Sequence, residues 1–443
     1  MNRARPSRST EDSSASATPD IAKAALTSLR RRFTRRELLQ SAFAAGGMLL
    51  VGLDRLAPLR ASPSGRQASA SFTARVTTFA QGGSAAQRVD SAFAGGKLLG
   101  NVDFTNEARV PVGSSFGSEL DERLYTDLSK LAPENLVTPA SEFYIRTGAS
   151  RLLDAAKIAS VKFSGLVEKP TAIGIPEIAR QAKSVGTHLM ECAGNTRGIH
   201  FGMMSAAEWN GVPAADILAL AHPASSATHV LISGFDEYQA ASTSSIPGAS
   251  WIFPLEALRS AGAFFATQMN GEPLTRDHGA PLRLVVPGWY GCCCIKWVNE
   301  IAFVDEAAAT TSQMQEYASR TMQKGVPQAL RDYEPATIDA AAMPIRIEKW
   351  AIGGKVKYRV VGILWGASPP AKALEVRFNP EEDYVPVEHV EPPSAATWSL
   401  WTHAWSPHAP GPYIIRLRVN DSHTRTRRLD VGAYVRSVEI DEV

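Results

Sequence analysis

The chain has 443 residues, 44% hydrophobic and 20% charged, enough apolar material for two or three globular domains. Its formal charge of +2 is unevenly spread: residues 1–66 hold 12 Lys/Arg against 5 Asp/Glu, leaving 34 against 39 beyond them. The body is thus mildly acidic, which argues against nucleic acid as a partner. Four cysteines, three of them adjacent (Cys292, Cys293, Cys294), argue against a disulfide framework, although one bridge from Cys192 to the triplet stays open.

The first element is of export type. In "LRRRFTRRELLQSAFAAGGMLLVGL" a basic region precedes an apolar run from Ser41 to Leu53, which is too short for a comfortable membrane span. Within it "TRRELL", beginning at Thr34, resembles the twin-arginine export signal. That resemblance implies a periplasmic destination and a Tat translocon partner. It also implies export of a folded chain, often with its cofactor already inserted. Residues 1–65 are assigned to this signal and its linker, and 66–99, rich in Ser, Ala, Gly and Gln, to a flexible linker.

Residues 100–335 mix short strands and helices. "SVKFSGLV", "HVLISGF" and "PLRLVVPG" predict strands ended by Gly or Pro, and "AADILALA" and "PLEALRSAG" predict short amphipathic helices. "DEAAATTSQMQEYASRTMQKG" predicts a partly helical connector. Across 340–443 the texture becomes "IRIEKWAI", "KVKYRVVGILWG", "ALEVRFNP", "TWSLWTHAW", "YIIRLRVND" and "YVRSVEI", separated by turn residues, which predicts an all-β sandwich of immunoglobulin-like type. Its strands around Trp398 and Trp401 suit either a core or a homodimer interface.

Cys192, in "HLMECAGNTRG", is the one cysteine before the triplet. A thiolate binds transition metals well, yet no second Cys or His stands nearby at ligand spacing. A metal there needs its other ligands from elsewhere, and a cofactor carrying its own sulfurs would supply them.

"ECAGNTRG", "AAEWNGVP", "MNGEPLTRDHGAPLRLVVPGWYG" and "IKW", in that order, resemble the sulfite oxidase family of molybdenum-pterin enzymes. The resemblance is strong from about Asn135 to Asp305 and weaker through "GILWG", "WSLWTHAW" and "RLRVNDS". It implies a mixed α+β molybdopterin-binding domain followed by the sandwich, and a molybdenum-molybdopterin cofactor. Carried over position by position, Cys192 becomes the metal's thiolate ligand, and Arg146 and Arg197 the cations of an oxyanion pocket. Tyr144, Ile145, Thr147 and Gly148 form the loop touching the cofactor. Asp236, His278, Arg283, Cys294, Ile295 and Lys296 hold the pterin and its phosphate. The active-site tyrosine falls on Tyr317 by spacing, or its position on Gln323 by an alternative alignment. Trp209, Trp297 and Asn195 read as packing and turn-closing residues.

Two departures stand out: Gly148 occupies the place of a family histidine, and Cys292 and Cys293 replace residues that usually include an arginine. These bear on substrate. The leading expectation is oxidation of a small sulfur oxyanion, sulfite to sulfate. Electrons then pass to a separate acceptor such as a c-type cytochrome, since the chain has no Cys-x-x-Cys-His for a haem of its own. The alternatives are S-oxide reduction on the same cofactor and, from another class, a non-catalytic exported interaction protein.

Overall fold

The structure, a computed structural model, describes residues 91–154, 158–235, 249–390 and 396–443. The export segment, most of the expected linker and Asp236 lie outside the described residues. No helix among the described residues is long and apolar enough to cross a membrane.

Two five-stranded sheets build the region between Ser160 and Val304. In the first, the order is Thr171–Gly174, Ser160–Gly165, Val298–Val304, His229–Gly234, Ser250–Pro254; only the Ser160–Gly165 pairing with Val298–Val304 is parallel. "SVKFSG" shows why it is a strand: Val161 and Phe163 point inward and Lys162 outward, the two-residue period of a half-buried sheet. The second sheet runs Glu272–Pro273, Phe264–Met269, Met204–Pro213, Lys183–Glu191, with Arg283–Val285 also paired to Phe264–Met269, all antiparallel.

Three six-residue helices, Ile175–Arg180, Ala214–Ala219 and Leu255–Ser260, each follow a strand, with Pro176, Pro213 and Pro254 at the junctions. Proline carries no N–H and ends a ladder, yet its fixed φ suits a helix start, so each residue turns the chain at little cost. Ile178, Ile217, Leu218 and Leu258 anchor these helices on the sheets.

The C-terminal part is two antiparallel sheets. One contains Ala341–Ile352, Lys355–Trp365, Ser399–Trp405 and His389–Val390, and the other Val385–Pro386, Leu374–Arg377, Gly411–Val419 and Arg436–Ile440. Their core is aromatic: Phe378 stacks on Trp405 at 4.3 Å, and Tyr413 meets Trp405 edge-on at 5.0 Å.

One expected boundary needs correction, and one open choice is decided. Residues 97–99 are not linker: Lys97–Val102 is a strand paired antiparallel with Ala341–Ile352, and Phe104 bridges to Val438, so the boundary drawn at 100 cuts through a segment of the sandwich. Trp398 and Trp401 offer no surface for a second copy. They are 2% and 0% exposed, and their indole N–H groups donate to the Leu136 and Ile363 carbonyls.

Candidate active site

Lys183–Glu191 carries Leu189, Met190 and Glu191 into the core, and Cys192 is the first residue beyond it. The Cys192 amide donates to Met203 O at 2.9 Å, and its carbonyl accepts from Asn195 N at 3.0 Å. Asn195 Oδ1 then takes Met203 N at 3.1 Å, closing the turn as expected. The small residues between bring Gly194 N–H to Cys192 Sγ at 3.4 Å, which aims the sulfur. Burial pushes the thiol pKa up; the Gly194 amide and the Arg146 guanidinium work the other way.

Behind the cysteine, the fully buried Glu191 takes both guanidinium nitrogens of Arg427, at 2.9 and 2.7 Å, and Trp365 Nε1 at 2.9 Å. Arg427 and Trp365 come from the C-terminal part. The sandwich therefore clamps the strand that presents Cys192.

Cys192 opens into a cavity that is also lined by Tyr144, Ile145, Arg146, Thr147, His278, Arg283, Cys294, Ile295, Lys296 and Tyr317. Most of the expected residues are thus brought to one place. The 143–147 loop is held by reciprocal hydrogen bonds between Leu124 and Ile145, 3.0 Å each, and by Tyr144 N donating to Ser205 Oγ at 3.0 Å. Gly148 does not line the cavity. A β-carbon there would meet the Glu119 carbonyl and Glu122, at 2.7 Å from Oε2, so acidic side-chain and backbone atoms fill the room a histidine would need. Close packing also explains Gly291, where a β-carbon would run into the Tyr144 hydroxyl.

His278 is 4% exposed, and both ring nitrogens are engaged. Nε2 faces the Phe143 carbonyl at 3.1 Å and must carry the proton, which leaves Nδ1 to accept from Thr275 Oγ1 at 2.8 Å. Burial lowers its pKa to about 4, so the ring is neutral. Arg283 donates to His278 O at 3.0 Å, Met190 Sδ at 3.1 Å and Cys294 O at 3.3 Å, while its buried Nε has no partner among the described residues. Lys296 Nζ reaches the Thr147 carbonyl and, at 2.8 Å, that of Asp277, and lies 4.3 Å over the Trp297 ring. Cys294 Sγ accepts from Val286 N at 3.4 Å, and burial lifts its pKa to about 11. All four cysteines are free and buried, so no bridge joins Cys192 to the triplet.

The choice between Tyr317 and Gln323 falls to geometry. Tyr317 lines the cavity, and burial followed by the nearby Cys192 pushes its pKa up to about 12. Gln323 lies elsewhere, tied to Thr321 O and to both polar groups of the Glu334 backbone. Arg197 is not in the cavity. It borders a separate surface hollow with Asn106 and Glu107, and its Nη1 donates to Gly432 O and Val435 O at 3.4 Å.

Sequence reasoning missed Met190, Asp277, Gln313 and Glu316 in the lining, and Arg320 beside it. Gln313 had a usable signal, standing one turn before Tyr317 on the helix Ser312–Tyr317; its amide donates to Cys292 O at 2.7 Å.

A protein-family profile described as "Oxidoreductase molybdopterin binding domain" matches residues 153–312. That range contains Cys192, His278, Arg283 and Lys296, but neither the 143–147 loop nor Tyr317. Nitrate reductase [NADPH] of Aspergillus niger is 31% identical over 194 residues, 40% of this chain and 22% of that one. Sulfite oxidase of Arabidopsis thaliana is 30% identical over 201 residues, 41% and 51% of the two chains. Mitochondrial sulfite oxidase of Macaca fascicularis is 26% identical over 315 residues, 61% and 53%. The chain thus spans about half or less of the length of these relatives. Among solved structures, the sulfane dehydrogenase SoxCD from Paracoccus pantotrophus superposes with a TM-score of 0.56 over 75% of this chain and 93% of that one, at 18% identity, a likeness of fold. The fold class is accordingly the one expected: a molybdopterin-binding domain followed by antiparallel β-sheets.

Proposed function

We propose that this chain is a molybdopterin-dependent oxidoreductase of sulfite oxidase type, and that it moves an oxygen atom between water and a small sulfur oxyanion, oxidising sulfite to sulfate; the profile match and the similar sulfite oxidases support this. The observation that carries the reading is one cavity shared by a buried thiol, Cys192, an arginine, Arg146, and a phenol, Tyr317.

The residues present fit a molybdenum-pterin. Arg283 keeps a buried, unpartnered N–H at the cavity, and Cys192 offers a soft donor aimed by the Gly194 amide. Cys192 would hold the metal, and Lys296 and Arg283 would face the anionic end of the pterin, with Tyr144, Ile145 and Thr147 along its edge. When bound, the group supplies the two-electron change and the oxygen transfer. The chain supplies the surroundings. Arg146 fixes an anion by charge-assisted hydrogen bonds, and Tyr317, a neutral phenol at working pH, donates to an oxygen of that anion. Phe143, Met190 and Trp297 keep bulk water from the walls.

The same reading sends the folded chain through the twin-arginine translocon to the periplasm, where electrons leave to a separate acceptor of c-type cytochrome kind. "TRRELL" and the lack of any Cys-x-x-Cys-His support this. One observation favours a second reading, S-oxide reduction: Arg197 points away from the cavity, which suits a less charged substrate.

Molybdenum content, measured together with anaerobic bleaching of the visible absorption by sulfite, tests the proposal. Stoichiometric metal with bleaching is expected. Metal without bleaching moves the assignment to S-oxides, and folded protein without metal overturns the enzyme reading.

A further inference from the structure

We infer that Arg320, not Arg197, is the second anion-binding cation of the cavity, pairing with Arg146 across Cys192; the inference rests on the oxyanion reading and deepens it. The argument begins at Gly194. A β-carbon at this glycine would stand 3.6 Å from Arg320 Nη1 and 3.8 Å from Cys192 Sγ, so the guanidinium and the sulfur flank the same small space. Glycine leaves that space open.

Arg320 belongs to the 3-10 turn Ala318–Thr321, directly after the helix that ends with Tyr317. Its guanidinium carbon lies 5.4 Å from the centre of the Tyr317 ring, a cation–π contact that holds the side chain beside a residue lining the cavity. The charges of Arg146 and Arg320 both act on Cys192 and on Tyr317. Two cations and a phenol therefore converge on one thiol. Among the described residues no carboxylate pairs with Arg320, although Glu316 lines the cavity. Arg197 differs on every count: its guanidinium donates to two backbone carbonyls of the sandwich and borders another hollow.

The ligand class that fits is a compact oxyanion carrying one or two charges, small enough to sit between two guanidinium groups. A planar, permanently charged fork on each side binds such an ion through paired N–H donors. Because Arg320 is itself exposed while Ala318 and Thr321 anchor its turn, it sets affinity and access without supporting the core.

The experiment measures inorganic sulfate binding to the full-length protein by titration calorimetry, alongside steady-state sulfite kinetics of the loaded enzyme. The variants are R320Q, R320K, R197Q and R146Q. R320Q is expected to weaken sulfate at least tenfold and to raise KM far more than it lowers kcat. R320K should recover much of the binding, and R197Q should change it less than twofold. Sulfate affinity lost in R146Q but unchanged in R320Q overturns the inference and leaves the oxyanion reading intact, as does a tenfold loss in R197Q alone. A wild-type protein that takes no sulfate overturns both.

Discussion

Glu191→Gln is the substitution whose cost the structure defines most sharply. Glu191 is fully buried, and its two oxygens receive Arg427 Nη1 and Nη2 as well as Trp365 Nε1. Burial opposes the charge on Arg427, yet Glu191 overrides it, so the guanidinium holds its proton more tightly than usual. Glutamine keeps one acceptor oxygen but loses the charge, which leaves the buried cation with neutral side-chain acceptors, that oxygen and the Tyr434 hydroxyl 2.8 Å away. Breaking one partner of a buried pair costs about 3–5 kcal/mol, whereas replacing both by apolar residues is often near neutral. E191Q should therefore lower the midpoint of thermal unfolding by about 5 °C or more, and E191L/R427M should regain most of that loss. Differential scanning calorimetry of the single and double variants makes the comparison. A midpoint within about 1 °C of wild type for E191Q, or a double variant as damaged as the sum of its singles, would refute the reasoning.

Cys192→Ser should leave near-ultraviolet circular dichroism unchanged while purified protein loses its molybdenum, read by mass spectrometry of the metal. His278, with its pKa lowered from 6.5 to about 4, makes the folded state bind fewer protons than the unfolded one in that window. Stability should be complete above about pH 6.5 and fall by about 3 kcal/mol as the pH drops toward 4. His188 and His403, lowered for the same reason, add to the slope, and H278Q should make a urea-midpoint profile shallower. Gly148→His, which restores the residue the family resemblance leads one to expect, should destabilise by about 1–3 kcal/mol because Glu119 and Glu122 already fill the space; chemical denaturation measures it.

The sandwich was legible because strands such as Ser399–Trp405 hold strand-favouring Trp, Leu and Thr between turn residues, although burial alternates only from Trp401 onward, with Thr402 and Ala404 half-exposed. Lys97–Val102 was not, since nearly all its side chains are exposed and only its backbone, paired with Ala341–Ile352, makes it a strand. Within the cavity, order along the chain located the loop at Arg146 and the residues around His278 and Lys296, because motifs fix backbone position. They do not fix where a long side chain points. Arg197 follows the cysteine turn by sequence yet turns to the Gly432 and Val435 carbonyls, while Arg320, part of no motif, swings over Tyr317. Trp398 and Trp401 carry the same lesson: apolar strand residues announce burial, and only packing tells core from interface.

The pairing of Lys97–Val102 with Ala341–Ile352, and of Phe104 with Val438, makes the mixed α/β region an insertion in the sandwich rather than a bead ahead of it. Asn106 reinforces the join through Val435 O and Ser437 N. A ribosome making this chain must hold Lys97–Val102 without its partner strand for more than two hundred residues, and residues 435–438 add to the seam later still. Contacts of such sequence separation form slowly, so the early strand remains an unsatisfied edge throughout elongation. Its exposed Lys97 and the irregular register at Gly100 are features that discourage such an edge from pairing with a neighbouring nascent chain.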